Sequence, residues 1–236
     1  MLIHVWRRFG RSAAPVLLAT VFVLTGAIAG AEEKPNPESL WFDPTQLPSF
    51  TGTVDRFLPN PDGHVDRLVF KEGPQIVFPP DAFEAVQHVA PKGQKLVVWG
   101  IRARTAPVIT MLAFAAPDSE PTVLDRFYWR PEDGNRQGRR EMTLIGKVWV
   151  PYLSPQGHVA GAILENGDVI RIEPAAADGF KDRLKPGASI VAGGMGADTP
   201  LGKAIDADRV GESVDKLEQV PQSRPAAHAE GARHSQ

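Results

Sequence analysis

From Thr51 onward the chain alternates apolar and polar positions in short runs closed by glycine or proline, and that period of two predicts β-strands joined by tight turns. The first run, 51–58, ends at Pro59-Asn60-Pro61-Asp62-Gly63, and a second, 64–70, ends at Glu72-Gly73-Pro74. A third is short, with Ile76 and Phe78 on one face and Gln75 and Val77 on the other. Then the period changes. Pro79-Pro80 sets a helix entry, Asp81 and Glu84 have the form of a capping box, and Phe83, Val86 and Ala90 share one helical side. Pro91-Lys92-Gly93 stops that helix, and runs at 95–99 and 108–114 predict a fourth and a fifth strand.

The same pattern returns 94 residues later. At that offset Gly52 meets Gly146, Val54 meets Val148, and Pro61, Gly63, His64 and Val65 meet Pro155, Gly157, His158 and Val159. Gly73, Ile76, Pro80 and Ala82 meet Gly167, Ile170, Pro174 and Ala176, and Gly93, Val97 and Gly100 meet Gly187, Val191 and Gly194. Thirteen identities without a gap mark a duplication. They are glycines where turns need them and apolar residues where a core must be filled. In the second copy Asn166-Gly167 is a strong hairpin signal, Ala177, Phe180 and Leu184 take the helix face, and 189–193 and 202–208 match the last two strands. Leu68, Phe83, Val86 and Trp99 are replaced by Ala162, Ala177, Phe180 and Gly193. Side-chain sizes have been exchanged, so the two cores have diverged.

Strand, strand, strand, helix, strand, strand is the order of the OB-fold, a partly open five-stranded barrel. The expected class is therefore mainly β: two tandem OB-like five-stranded barrels, each with one short helix between strands three and four. The string Gly-x-Val, Pro-x-Gly-x-Val, Gly-x-x-Ile-x-x-x-Pro and Lys-x-Gly or Lys-Pro-Gly resembles bacterial exported proteins described as OB-fold nucleic-acid-binding. The resemblance covers 51–116 and 145–211. It implies the fold, and through the family's label it implies single-stranded nucleic acid as one ligand class. A fold does not fix an activity.

The ends differ in kind. Arg7, Arg8 and Arg11 precede an apolar stretch from Ala13 to Ala29, and Ala27-Ile28-Ala29 and Ala29-Gly30-Ala31 offer small-x-small exits. This reads as a signal peptide over 1–31, giving a periplasmic or secreted chain with no stable membrane insertion after cleavage. Residues 32–50, rich in proline, form an extended lead-in that docks Trp41 and Phe42; 117–144 link the modules; 212–236 form a disordered tail. Taking the three leader arginines from 26 basic residues leaves 23 against 28 acids, a net charge of −5 that disfavours polyanionic partners. With no cysteine, disulfides, thiolate metal sites and a cysteine nucleophile are excluded.

No catalytic residue, metal ligand or cofactor is assigned. His64 and His158 occupy matched positions, and a metal-dependent hydrolase built on either is an alternative. Their ordinary reading is a polar residue opening the second strand. Gly193-Gly194-Met195-Gly196 reads as a loop between strands, since no helix opens after it. The ligand surface expected from OB-folds is the outer face of strands two and three. That face carries Arg67, Lys71 and Gln75 in the first module, and Glu165, Val169 and Arg171 in the second. The linker adds Arg126, Tyr128, Trp129 and Arg130, with Arg136, Arg139 and Arg140 beyond, where aromatic rings interleave with guanidinium groups. Matched polar residues are absent from the two faces, so one barrel, the first, is expected to carry the main surface. The sequence thus points to a non-enzymatic binding module for a protein, a glycan or a cell-envelope polymer.

Overall fold

The computed structural model describes residues 40–126 and 138–221; residues 1–39, 127–137 and 222–236 lie outside them. In the first barrel β1 (Ser49–Pro59) pairs antiparallel with β2 (Val65–Phe70) and with β4 (Lys95–Arg102). β2 continues to β3 (Gln75–Val77), β4 to β5 (Val108–Ala115), and a parallel β3–β5 pairing closes the ring. Helix α1 (Phe83–Val89) stands between β3 and β4 in sequence. The second barrel repeats the closure with β7 (Arg140–Leu153), β8 (Val159–Leu164), β9 (Val169–Arg171), β10 (Ser189–Thr199) and β11 (Gly202–Gly211). There α2 (Pro174–Ala177) runs into a 3-10 turn, Asp178–Phe180, in place of one helix. Among the described residues no helix is long and apolar enough to cross a membrane.

Each barrel has its own core. Val54, Leu68, Phe70, Ile76, Phe78 and Val86 fill the first, and the repeat partners Val148, Ala162, Leu164, Ile170, Ile172 and Phe180 fill the second. The exchanged sizes compensate locally. Half-buried Phe83 beside buried Val86 becomes buried Ala177 beside Phe180, so the aromatic ring has moved about one helical turn. Trp99, read from sequence as core, belongs to neither core cluster and is half-buried. It faces Ala113 across the β4–β5 pair, whereas Gly193 faces Arg209 across β10–β11, so bulk has been traded across a strand pair. Gly63 and Gly157 hold matching turns with φ of +86° and +92°, a region that favours glycine.

Four sequence expectations change. Gly193-Gly194-Met195-Gly196, expected as a loop, lies inside β10 and pairs with both β7 and β11. The fifth strands match at an offset of 96, because Val108 pairs with Gln75 as Ala204 pairs with Val169, and Ala113 pairs with Trp99 as Arg209 pairs with Gly193. The β10–β11 hairpin is two residues longer than β4–β5, which a sequence comparison without gaps cannot register. The unit is also longer than its identities. β6 (Thr122–Val123), inside the expected linker, and β12 (Leu217–Gln219), inside the expected tail, each pair antiparallel with the fifth strand of their barrel. Behind them Leu124 and Val220 pack on the two cores, their N–H groups donating to Leu112 and Asp208 carbonyls. Finally, Asp81 caps nothing: it lies inside the 3-10 turn Pro80–Ala82 and its carboxylate pairs with Arg126.

The barrels pack on one another through matching surfaces. Leu58 and Val69 of the first join Tyr152, Ile163, Val169 and Ala204 of the second, and Val77 and Val108 join Leu153. A Cβ placed on Gly63 would stand 3.4 Å from Ala197 Cβ, and one on Gly157 would stand 3.1 Å from Ala103 Cβ. Residues 63 and 157 are repeat partners, and so are 103 and 197. Each barrel therefore offers its first turn to the other's β4–β5-type hairpin, the self-complementary pattern of a two-fold dimer, here inside one chain.

Candidate functional site

The face expected to receive a ligand is covered by the other barrel. Arg67 and Gln75, on neighbouring strands β2 and β3, are each only 2% exposed. The Gln75 amide spans an extended stretch of β7: its Nε2 donates to the Pro151 carbonyl at 2.7 Å and its Oε1 accepts from Leu153 N–H at 3.2 Å. Arg67 Nη1 donates to Gln75 Oε1 at 2.6 Å and to the Leu153 carbonyl at 2.7 Å, and its guanidinium lies 4.0 Å over the Tyr152 ring. Its Nε has no partner among the described residues. These are barrel-to-barrel contacts, so the face is closed to an outside ligand as it stands. Val169 is buried in the same seam. Lys71 stays exposed in the β2–β3 turn, as Glu165 does in the β8–β9 turn.

The linker arginines that can be placed are neutralised. Arg126 pairs with Asp81, Arg140 with Asp198 at 2.7 Å, and Arg139 with Asp62 at 3.0 Å and with Asp206. Arg139 also donates to the Pro61 carbonyl, which ties the start of β7 to the first turn of the first barrel. Arg171 pairs with Asp206 at 3.3 Å. Burial works against its charge, but Tyr152 and the Asp206, Asp66 and Asp62 carboxylates outweigh it and raise its pKa. Tyr128, Trp129, Arg130 and Arg136 lie outside the described residues. In the lead-in, Pro44 is buried and Phe42 half-buried, but Trp41 stays 92% exposed, edge-on to Phe42.

The paired histidines have structural surroundings. Asn60 Oδ1 accepts from the N–H of Asp62 and His64, and Ser154 Oγ accepts from His158 N–H, so the polar group that shapes each turn is buried while the imidazole is exposed. Among the described residues no group of three or more histidine or carboxylate side chains is placed to hold a metal.

A groove of about 370 Å³ runs along one side of the seam. Its first wall is Arg56 and Phe57 of β1, Gln87 of α1 and Lys92 of the following turn; the second is the Glu165-Asn166-Gly167 turn and the hairpin tip at Pro200 and Leu201. Arg56 braces the walls. Its Nε pairs with Asp55 at 2.8 Å, Nη1 donates to the Glu165 carbonyl at 3.2 Å, and its guanidinium lies 4.0 Å over Trp149. Asn166 is held by Asp168. Among the described residues the side chains of Gln87, Lys92 and Glu165 have no hydrogen-bond or ion-pair partner. Sequence reasoning missed this place because its residues are scattered over five loops and elements, and only barrel packing assembles them.

No protein-family model matches this sequence, and comparison with curated proteins finds no relative.

Proposed function

We propose that this chain is an exported, non-enzymatic binding protein. Its two OB-like barrels act as one body and present the seam groove to a protein, a glycan or an envelope polymer. One observation carries the reading. The OB-type faces are turned toward each other and the placed linker arginines are paired, whereas the groove is lined by Gln87, Lys92 and Glu165, whose side chains have no partner among the described residues. Unpaired polar groups converging on a preformed concavity are what a ligand site supplies.

The test is capture of partners from envelope extract by the mature chain and by a Lys92→Ala/Glu165→Gln variant. A partner retained by the first and lost by the second supports the groove; equal capture by both refutes it. Salt-sensitive binding of single-stranded DNA would put the nucleic-acid reading in its place. Export is tested separately. Amino-terminal sequencing of the exported protein is expected to begin between Gly30 and Glu32, and a chain still starting at Met1 would overturn cleavage.

A further inference from the structure

Resting on the groove reading above, we infer that the ligand there is an uncharged oligosaccharide segment. The groove has little net charge to offer. Among the described residues that line it, Arg56 is answered by Asp55, which leaves one cation, Lys92, and one anion, Glu165. A polyanion would meet Glu165 as a repulsive neighbour and gain a single unpaired ammonium, so nucleic acid and acidic polymers fit poorly.

The hydrogen-bonding inventory is mixed. The ammonium only donates, the ionised carboxylate only accepts, and the Gln87 amide does both. A run of sugar hydroxyls, each donor and acceptor at once, satisfies all three without bringing a charge that must be desolvated. The second wall supplies the remaining element. Leu201, 38% exposed, and Pro200 give an apolar strip suited to the C–H face of a sugar ring. The volume sits at the small end of the usual ~300–1,000 Å³ for ligand sites, which suits a short segment of a longer polymer.

The walls are also fixed in advance. Arg56 joins β1 to the Glu165 carbonyl, and the Asp168 carboxylate both receives Asn166 Nδ2 and accepts from Lys203 N–H, linking the β8–β9 turn to the hairpin. A braced groove loses little entropy on binding, which matters for a ligand whose hydroxyls gain only modest net hydrogen-bond energy.

The probes are two uncharged oligosaccharides, cellotetraose and tetra-N-acetylchitotetraose, titrated into the mature chain. The readouts are calorimetry and amide chemical shifts, with a folding check of each variant by circular dichroism. Binding of either sugar is expected, with shifts centred on 87, 92, 165–167 and 201. Glu165→Gln and Lys92→Ala should each weaken it about tenfold, and Arg102→Ala, away from the groove, should not change it. Failure of both sugars to bind overturns the inference, as does binding indifferent to both groove substitutions. The two readings fail apart. If sugars fail but the groove variant still loses a captured partner, the groove stands and the saccharide falls; if capture is also unchanged, both fall.

Discussion

Replacing Gln75 by leucine tests whether the barrels are one cooperative body. The amide is buried and accounts for three contacts: Pro151 carbonyl, Leu153 N–H and Arg67 Nη1. Leucine conserves much of the volume and makes none of them. A carbonyl and an amide N–H are orphaned, and among the described residues a buried guanidinium keeps only the Leu153 carbonyl and the Tyr152 ring. Each buried orphan costs about 1–3 kcal/mol, and a buried charge deprived of an acceptor lies at the upper end, so a loss of about 3–5 kcal/mol is expected. The assay is urea unfolding of residues 32–236 followed by tryptophan fluorescence, since Trp149 sits at the seam beneath Arg56. With a slope of about 2 kcal/mol per molar, the midpoint should fall by roughly 2 M. Arg67→Met combined with Gln75→Leu should be milder than Gln75→Leu alone, because removing the guanidinium removes the buried charge. A single-substitution loss below about 1 kcal/mol, or a double variant clearly worse than the single, would refute this account of the seam.

Further outcomes concern backbone and protons. Gly52→Ala should be far more damaging than Gly146→Ala in thermal unfolding, because a Cβ at 52 would overlap the buried Phe70 ring at 2.2 Å while one at 146 meets only the Leu164 Cδ1 methyl at 3.0 Å. Gly161→Ala should cost several times more than Gly73→Ala: both glycines have positive φ, but at 161 the new Cβ would lie 1.9 Å from the Ile170 carbonyl oxygen and at 73 it would meet nothing. Glu72 accepts from Thr53 N–H, and chiefly for that reason its pKa is held below the ordinary glutamate value. Its contribution to stability should therefore be complete above the unfolded-state pKa and be lost as pH falls through the lower folded value. Carboxyl chemical-shift titration checks this, and a midpoint at or above that of a free glutamate would contradict it.

The repeat, the strand order and the helix positions were legible in the sequence because they rest on local rules. Turn glycines such as Gly63 and Gly157 need their backbone region wherever the chain folds, and alternation at 75–78 and 169–172 fixes which side enters the barrel. That is why Ile76 and Ile170 could be assigned to cores before any barrel was drawn. Sequence period also says which residues point outward, and it placed Arg67 and Gln75 outward correctly with respect to their own barrel. What period cannot say is what lies beyond that surface. Arg67 became a buried clamp, and Arg126, Arg139 and Arg140 became ion-pair partners, through contacts 45 to 86 residues distant in the chain. The two-residue lengthening of one hairpin and the added strands β6 and β12 were equally hidden, since they are set by pairing register and not by identity. The sequence by itself determined two copies of one barrel; only tertiary packing decided that they close on each other, because complementarity between two surfaces belongs to neither stretch of sequence alone.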